Sequence, residues 1–272
     1  MTGYLGPIGT FSHIAAEKFC RGERLSEYPT IHSVIMAVEY GEIDACIVPV
    51  ENSIEGSVNT TLDTIVFETE LYITGEYIMR IKQNLIAKPG VGAEKITAVV
   101  SHPQAIGQCS GLLNREFKNV KISLAESTAA AAESVKASDG EVAMIGSESC
   151  AELNGLDILI PDCGDNRNNS TRFIRLGKNK STRISNADKS SIAFTLENRF
   201  GTLYEALSVF EKYKINMTKI ESRPAKTMLG QYMFFIDVDG NIDDANIYFA
   251  LEAIRKKTTY FRFLGSYERY KQ

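Results

Sequence analysis

The stretch "VPVENSIEGSVNTTLD" (residues 48–63) decides the fold class, because it joins an apolar strand to a helical pattern through a polar loop. The strand ends at Pro49-Val50, and polar side chains then crowd the loop: Glu51, Asn52, Ser53, Glu55 and Ser57. Ligands of open α/β sheets bind at the carboxyl ends of strands, so this loop is a candidate ligand site. The alternative is an ordinary capped loop, with Gly56 in the turn and Ser57 or Asn59 as the helix cap.

The same alternation of strand and helix runs through residues 1–180. Short apolar runs typical of strands occur at residues 4–5, 45–48, 97–100, 122–125, 142–145 and 158–160. Helical spacing occurs at residues 14–19, 33–40, 58–67, 104–117 and 128–136. Strands separated by helices predict a largely parallel α/β sheet. The extended stretch 76–90 is interpreted as a crossover between two lobes, about residues 1–80 plus 160–180 and residues 81–159, with a ligand cleft between them.

A second domain is predicted after a polar linker at residues 178–190. Residues 190–272 follow the order strand, helix, strand, strand, helix, strand, with Met228-Leu229-Gly230 as a hairpin-like connection. Leu203, Ala206, Leu207 and Phe210 give the first helix its apolar face. The order βαββαβ predicts a ferredoxin-like α+β domain.

Composition narrows the class of protein. Hydrophobic residues make up 44% of the 272 residues, charged residues 24%, and the formal net charge is −4. We expect no nucleic-acid or membrane partner, because no basic block stands out and no apolar run approaches the ~18 residues of a membrane span. The five scattered cysteines contain no C-x-x-C and indicate reduced thiols, so we expect a cytoplasmic protein.

Three further strand-to-helix junctions carry candidate site residues. In "GPIGTFSHIAA" (6–16), Gly6 and Gly9 permit a tight turn, and Thr10 or Ser12 could cap a helix whose N-terminus binds a carboxylate. Ser101 and His102 end the strand of "VVSHPQAIGQCSG" (99–111), and Ser127 and Thr128 begin the helix of "AESTAAAAESVK" (125–136). At each junction the alternative is a turn or a helix cap without a ligand, and for His102 an acid, base or anion partner is weighed against a cap.

Several kinds of site are not expected. Cys109 lies in a G-x-C-x-G pattern, but a nucleophile elbow follows a strand directly, and Cys109 falls inside a predicted helix. The three histidines lack metal-ligand spacing, and no G-x-G-x-x-G fingerprint occurs, so neither a metal nor a cofactor is expected.

The segment "DNRNNSTRFIRLG" (165–177) supplies what the other loops lack. Thr171 offers a hydroxyl donor and Arg172 a counter-charge at the start of a strand. The alternative for Arg172 is a structural pair with Asp162 or Asp165. Together the loops indicate a site that binds a small oxygen-rich anion through hydroxyls and amides.

These motifs in this order resemble the monofunctional prephenate dehydratases, which form phenylpyruvate on the route to phenylalanine. The resemblance rests on "GPIGTFSHIAA", "VPVENSIEGSV", "SHPQA" and above all Thr171-Arg172-Phe173, and it covers the whole chain. "ENRFGTLYEAL" (197–207) and "ESRP" (221–224) resemble the phenylalanine-binding segments of an ACT regulatory domain, although Phe200-Gly201-Thr202-Leu203 replaces the usual Pro-Gly-Ala-Leu-like sequence.

The resemblance implies a two-lobed catalytic domain like a type II solute-binding protein, and a homodimer or homotetramer whose ACT domains bind L-phenylalanine where they meet. It implies Thr171 at the leaving hydroxyl, with Arg172, Glu55 and His102 as further catalytic candidates; Glu55, His102 and a water stay open as the acid. The predicted substrate-binding residues are Thr10, Phe11, Ser12, Asn52, Ser53, Gly56, Ser57, Ser101, Gln104, Ser127, Thr128 and Phe173. The predicted allosteric residues are Asn198, Gly201, Thr202, Leu203, Glu221, Ser222, Arg223 and Pro224, with a surface ion pair as the alternative for Glu221 and Arg223.

Two rival functions remain at this point. A non-catalytic amino-acid sensor would bind ligand without turnover. An arogenate dehydratase would run the same chemistry on a substrate whose side chain carries an ammonium. A fused chorismate mutase is not expected, because no helical extension of ~90 residues precedes Gly3.

Overall fold

The structure, a computed structural model, describes residues 1–226 and 230–270. The chain divides into two compact units: residues 1–34, 47–59 and 78–173 form the first, and residues 35–46, 60–77 and 174–272 form the second. Of the predicted hairpin-like connection, Met228 and Leu229 lie outside the described residues. In residues 1–226 and 230–270, no helix is both long and apolar enough to span a bilayer.

Strands and helices alternate over most of the chain up to residue 177, as predicted, but the strand Leu25–Tyr28 was not predicted. A short 3-10 helix, Ala93–Lys95, also occurs. In chain order the elements are β1 (Thr2–Leu5), α1 (Phe11–Phe19), β2 (Leu25–Tyr28), α2 (Ile31–Tyr40), β3 (Ala45–Asn52), β4 (Gly56–Ser57), α3 (Asn59–Glu68), β5 (Tyr72–Arg80), β6 (Asn84–Ala87), β7 (Ala98–Ser101), α4 (Pro103–Gln108), α5 (Ser110–Glu116), β8 (Lys121–Leu124), α6 (Thr128–Ala137), β9 (Val142–Gly146), α7 (Glu148–Asn154), β10 (Asp157–Ile160) and β11 (Ser170–Gly177).

Two sheets organise this part of the chain. The first has the order β2-β1-β3-β11-β5, with β4 paired to β3, and the second has the order β10-β6-β9-β7-β8. Neighbours β1–β2, β7–β8 and β7–β9 run parallel, as predicted, whereas β6 pairs antiparallel with β9 and β10. The candidate loops at residues 6–10, 53–57, 102 and 125–127 follow the carboxyl ends of β1, β3, β7 and β8.

One predicted helix is divided. The pattern over 104–117 predicted a single helix, but the structure ends α4 at Gln108 and begins α5 at Ser110. Glycines at 107 and 111 flank the break, and glycine is the weakest helix former after proline. The break leaves Cys109 fully buried beneath the helix ends.

The C-terminal domain confirms the ferredoxin-like prediction. Its elements are β12 (Asp188–Thr195), α8 (Thr202–Lys212), β13 (Met217–Pro224), β14 (Tyr232–Asp239), α9 (Ala245–Arg255) and β15 (Tyr260–Glu268), with sheet order β13-β14-β12-β15. The alternating side chains of Ile192, Phe194 and Leu196 pack against the apolar faces of α8 and α9 in one buried cluster. This burial of one sheet face by two helices holds the domain together.

The predicted linker 178–190 is too long, because β12 already begins at Asp188. Asp188, Lys189, Ser190 and Ser191 are all at most 6% exposed, although their composition is that of a surface loop. Each finds a polar partner in the fold: Asp188 accepts from Ser185 and Asn241, and Lys189 pairs with Glu76. A polar run whose partners lie far away in sequence cannot be recognised as a buried strand from periodicity.

Candidate active site

A cavity of about 690 Å³ lies within the first compact unit, where strand ends and helix starts converge. Its lining includes Thr171, Glu55 and His102 among the predicted catalytic residues. Of the predicted substrate-binding residues, the lining contains Thr10, Phe11, Ser12, Asn52, Gly56, Ser57, Ser101, Gln104, Ser127, Thr128 and Phe173. The loops that the sequence singled out therefore do meet at one pocket.

Several lining hydroxyls cap helices, as the alternative interpretation held. The Thr10 Oγ1 atom accepts from the His13 backbone N–H at 3.3 Å, and Ser127 Oγ accepts from Ala130 N–H at 3.1 Å. These caps fix the N-termini of α1 and α6 at the cavity wall. A helix N-terminus carries about half a positive charge, so both can attract a carboxylate without a charged side chain.

His102 is also a cap. Its Nδ1 accepts from the Gln104 backbone N–H at 3.3 Å, at the start of α4. The side chain is exposed and lines the cavity. The two interpretations of His102 are therefore compatible, since one ring nitrogen holds the helix end and the ring still borders the pocket.

Asn52 organises the hairpin that carries Glu55. Its Oδ1 accepts from the backbone N–H groups of Ile54 and Glu55 at 2.9 and 3.1 Å, which shapes the turn from β3 into β4. Its Nδ2 donates to Thr171 Oγ1 at 2.9 Å. Gly56 completes the turn with a φ of +83°, a region that favours glycine.

Glu55 is held by a residue that the sequence analysis did not select. Gln108 Nε2 donates to Glu55 Oε1 at 2.9 Å, and Gln83 Nε2 donates to Gln108 Oε1 at 3.1 Å. Both glutamines line the cavity. The available signal was helical spacing, because Gln108 follows the selected Gln104 by four residues and so shares its face of α4. Gln83 gave no comparable signal.

Two more polar residues, Ser147 and Glu126, line the cavity. Ser147 caps α7 by accepting from Cys150 N–H and donates to the Gly9 carbonyl at 2.6 Å, which ties two junctions together. Glu126 adds a carboxylate at the start of α6. Among the described residues the lining contains no lysine or arginine, so helix ends and amides supply its positive potential.

The structure corrects the placement of Arg172 and Ser53. Side chains alternate along β11, so Thr171 and Phe173 line the cavity while Arg172 does not. Its guanidinium lies 3.8 Å from Glu51, not beside Asp162 or Asp165. Ser53 Oγ instead accepts from the Ser170 N–H at 2.9 Å and donates to the Asn168 carbonyl at 3.1 Å. Both residues brace the β3 and β11 segments from outside the pocket.

Asp162 and Asp165 have other partners. Arg80 Nη2 lies 2.6 Å from Asp162 Oδ2. Asp165 accepts from the Ser110 hydroxyl and the Gly111 N–H, each at 3.0 Å. These contacts anchor the polar tract that leads into β11.

Cys109 has the environment of a structural thiol. Its Sγ lies 3.7 Å from Cys163 Sγ, and both residues are buried. The hydrogen bond to Cys163 and burial raise the pKa of the Cys109 thiol far above its ordinary value. A thiol that stays protonated is a poor nucleophile, in agreement with the sequence prediction.

Metal ligation has no support in the described part of the chain. Among residues 1–226 and 230–270, no three His, Cys, Asp or Glu side chains are grouped as metal ligands would be. His13 instead packs its ring 5.0 Å from that of Tyr4.

The predicted allosteric segments lie in the second compact unit. Gly201 has a φ of +82° and precedes α8, as predicted for a glycine at the helix start. Thr202 Oγ1 donates to the Glu197 carbonyl at 3.0 Å, which orders the loop that carries Asn198. Leu203 begins the apolar face of α8 and remains 37% exposed.

The facing segment 221–224 forms the end of β13. Ser222 and Pro224 are exposed along it. Glu221 and Arg223 each make an ion pair: Glu221 lies 3.3 Å from Lys219, and Arg223 donates to both carboxylate oxygens of Asp63 at 2.9 and 3.1 Å. Ion pairing, which was the alternative interpretation for both residues, is therefore present in the structure.

The carboxyl of Asp63 has a lowered pKa. Burial alone would raise the pKa of its carboxyl, but hydrogen bonds and charges from Arg223 and Lys226 outweigh burial and hold that pKa below its ordinary value. Asp63 lies on α3, which begins directly after the cavity-lining residues Ser57 and Val58.

Comparisons with known proteins agree with this geometry. The family model for prephenate dehydratase matches residues 2–181, and the ACT-domain model matches residues 190–256. The prephenate dehydratase of Lactococcus lactis subsp. cremoris (strain MG1363) is 40% identical over 272 residues, which cover 98% of this chain and 97% of that protein.

Solved structures give the same result at the level of fold. Prephenate dehydratase from Arthrobacter aurescens, solved in complex with L-Phe, aligns with a TM-score of 0.90 and 34% identity over 98% of this chain and 90% of that one. GqqA, described as a novel type of quorum quenching acylase, aligns with a TM-score of 0.88 and 26% identity over 99% of this chain and 98% of that one. The family model and the full-length relative together show that this chain belongs to the prephenate dehydratase family and is a carbon–oxygen lyase.

Proposed function

We propose that this chain converts prephenate to phenylpyruvate in the described cavity and that L-phenylalanine inhibits it through the C-terminal domain. The observation that carries the catalytic part is the Thr171 hydroxyl, which lines the cavity and accepts a hydrogen bond from Asn52 Nδ2 at 2.9 Å. A hydroxyl that accepts there keeps its own proton for a ligand. That ligand atom is the leaving hydroxyl of prephenate.

The reaction balances without a cofactor. The bond between the ring and its carboxylate breaks, carbon dioxide leaves, and the electron pair enters the ring. The carbon–oxygen bond on the opposite side of the ring breaks, and the hydroxide departs with a proton as water. The product is aromatic, so the driving force lies within the substrate.

Thr171 acts as an oriented hydrogen-bond donor in this scheme. An aliphatic hydroxyl is too weak an acid to lose its proton at neutral pH, so it stabilises the departing oxygen and passes on a proton from elsewhere. Glu55 and His102 line the same cavity and are the proposed sources, together with water. The variants Glu55→Gln and His102→Asn separate them, because the true acid is the one whose removal abolishes a limb of the pH–kcat profile.

The lining suits an anion that must lose one carboxylate. Helix N-termini at Thr10–Ser12, Ser57–Val58 and Ser127–Thr128 offer partial charges and N–H donors, while lysine and arginine are missing from the described lining. A full cation beside the departing carboxylate would stabilise the ground state more than the transition state, in which the charge disperses. Partial charges avoid that penalty.

Arogenate is the second candidate substrate, and one observation favours it. Glu126 and Glu55 both line the cavity, and either carboxylate could receive the ammonium that arogenate carries in place of a keto group. Comparing kcat/KM for prephenate and arogenate decides between the two substrates.

The regulatory part of the proposal rests on the ACT-domain match and the relative solved with L-Phe. Phenylalanine would contact Asn198, Gly201, Thr202, Leu203 and residues 221–224 in a homodimer or homotetramer. Phe200 and Tyr204, 100% and 77% exposed beside this loop, would be covered in such an assembly. Sedimentation with and without phenylalanine tests the assembly.

The deciding experiment follows phenylpyruvate formation from prephenate by the purified chain, with and without millimolar phenylalanine. We expect turnover that phenylalanine suppresses. Phenylalanine binding without any turnover would refute the proposal and favour the amino-acid sensor.

A further inference from the structure

A chain of side-chain amides connects Thr171 to Glu55 beneath the cavity. Asn52 Nδ2, already bonded to Thr171, also donates to Asn169 Oδ1 at 2.8 Å. Asn169 Nδ2 donates to Gln108 Oε1 at 3.2 Å, and Gln108 Nε2 reaches Glu55. Asn169 is thus the central link between the residue at the proposed leaving hydroxyl and the carboxylate across the pocket.

The direction of every bond in this amide chain is fixed from its Asn52 end. The backbone N–H groups of Ile54 and Glu55 can only donate, so Asn52 must present its oxygen to them and its nitrogen to Thr171 and Asn169. Asn169 therefore accepts from Asn52 with its oxygen and donates to Gln108 Oε1 with its nitrogen, which leaves the Gln108 nitrogen to face Glu55 Oε1. Asn169 must accept a hydrogen bond from Asn52 and donate one to Gln108, and the oxygen and nitrogen of its amide meet both requirements.

Asn169 does not belong to the cavity lining and is 3% exposed. Its backbone is held as well, because its carbonyl accepts from Ile81 N–H at 2.8 Å. A buried amide in a fixed position with both ends bonded has little freedom to turn over.

We propose that Asn169 is a positioning residue for catalysis: it sets the direction of the amide chain, so that Thr171 donates into the pocket and Glu55 stays anchored by Gln108. This inference rests on the role proposed for Thr171. Asn169 touches neither substrate nor reacting atoms, and it acts through Asn52 and Gln108.

The substitution Asn169→Asp tests direction separately from shape. The aspartate has nearly the same size and, when ionised, still accepts from Asn52, but it turns an oxygen toward Gln108 Oε1. Gln108 can avoid this clash only by turning its own amide, which then sets an oxygen against Glu55. When the new carboxyl is protonated, its O–H can donate to Gln108 and the original directions return.

The expected result is therefore a conditional defect. At pH 8, Asn169→Asp should lower kcat about 10- to 100-fold, the cost of misplacing reacting groups, with KM changed less than about threefold. The ratio of variant to wild-type kcat should rise as pH falls through the pKa of the new carboxyl, which burial raises. A loss of packing alone would give a ratio independent of pH.

The charged and titratable groups near the amide chain include Glu55 itself, Asp165 on the tract before β11, the Arg80–Asp162 pair and the Arg172–Glu51 pair, and His102, which caps the helix that carries Gln108. All of them are present in every variant. The matched control is Asn168→Asp, which makes the same chemical change on the exposed neighbour and should leave both kcat and its pH profile as in wild type.

The outcomes separate this inference from the proposed function. Suppose that the wild-type protein turns over prephenate. If the kcat of Asn169→Asp equals that of wild type, or is lower by a factor that does not change with pH, the positioning role is overturned and the dehydratase proposal stands. Absence of wild-type turnover overturns the dehydratase proposal itself. If Asn169→Asp does not fold, Gln108→Glu removes the donor at the other end of the chain and should show the same recovery at low pH; a flat ratio there also overturns the inference.

Discussion

The cavity and the contacts of the C-terminal domain use opposite kinds of polar interaction. Around the cavity, neutral amides and hydroxyls form bonds whose directions are fixed, as between Asn52 and Thr171. The second unit contains buried and partly buried charged pairs: Lys189 and Glu76 lie 2.9 Å apart with side chains 8% and 0% exposed, and Arg223 donates to Asp63. A network of neutral hydrogen bonds orients side chains without placing a negative charge against an anionic ligand. In a buried ion pair, removing one partner leaves an uncompensated charge and lowers the free energy of unfolding strongly.

Helix α3 is where the charged contacts concentrate. Arg262 of β15 donates to the carbonyl of Val66, in the last turn of the helix, at 3.3 Å and to that of Leu71, which follows the helix, at 3.0 Å. Arg223 and Lys226 hold Asp63 on the same helix. Charged side chains of the C-terminal domain therefore hold α3, the helix that follows the cavity-lining residues Ser57 and Val58. The difference between the neutral contacts at the cavity and these charged contacts leads to four predictions.

The largest effect is expected in the neutral hydrogen-bond network at the cavity. Thr171→Ala removes the donor at the leaving hydroxyl, and kcat should fall by about 10²–10⁴-fold while the thermal midpoint changes little. Thr171→Ser keeps the hydroxyl and is the matched control. Steady-state kinetics with prephenate measures both, and turnover of Thr171→Ala within threefold of wild type would refute the assignment.

The next largest effect is expected on stability, from the buried Lys189–Glu76 ion pair. Lys189→Met leaves the Glu76 carboxylate buried without its ammonium, and the free energy of unfolding should fall by about 3–5 kcal/mol. The double variant Lys189→Met/Glu76→Leu should recover most of that loss, because both charges are gone.

The control for Lys189 is an exposed pair of similar length. Lys136→Met breaks the surface pair with Glu133, in which the glutamate is 72% exposed, and should cost less than about 1 kcal/mol. Calorimetry measures all three variants. Equal destabilisation by Lys189→Met and Lys136→Met would show that burial does not determine how much an ion pair contributes to the stability of this protein.

A smaller effect is expected on regulation. Asp63→Asn weakens the grip of Arg223 and Lys226 on α3, so the phenylalanine concentration for half inhibition should rise by at least about fivefold, the lower end of common allosteric couplings. The kcat without phenylalanine should not change, because Asp63 is outside the cavity lining. Asp243→Asn, an exposed change in the same domain, should leave inhibition unaltered. Unchanged inhibition in Asp63→Asn would show that this contact does not transmit the signal.

The smallest effect is on pH dependence. Burial would raise the pKa of Asp188, but hydrogen bonds from Ser185 and Asn241 outweigh it and hold that pKa below its ordinary value. A lowered folded pKa means that the stabilisation is complete above the unfolded pKa of about 4 and is lost as pH falls through the folded value. Asp188→Asn should therefore cost about 1 kcal/mol near pH 7 and progressively less toward pH 3. Thermal midpoints across that range test it, and a cost that grows on acidification would contradict the sign.

Part of the site could be predicted because it lies in local patterns. Thr10, Ser127 and Thr171 were found at strand–helix or loop–strand junctions, and short-range rules govern which residues occur there. Arg172 was misplaced although it adjoins Thr171, since alternation along β11 puts neighbours on opposite faces and the sequence does not say which face meets the cavity.

The residues that were missed owe their role to partners distant in sequence. Gln83 meets Gln108, and Asn169 meets Asn52 across 117 residues, and no local spacing announces such pairs. The same reason explains why the end of the predicted linker, residues 188–190, was not recognised as the start of β12, where Lys189 is buried beside Glu76.

The sequence by itself determined most of the order of elements, the ferredoxin-like C-terminal domain and the strand-end loops. These follow from periodicity, capping and turn chemistry, which act over a few residues. Only the tertiary structure decided which hydroxyl reaches the cavity, which amide orients it and which charges hold α3. Hydrogen bonds and ion pairs need atoms within about 3–4 Å, and the folded chain alone brings such distant residues that close.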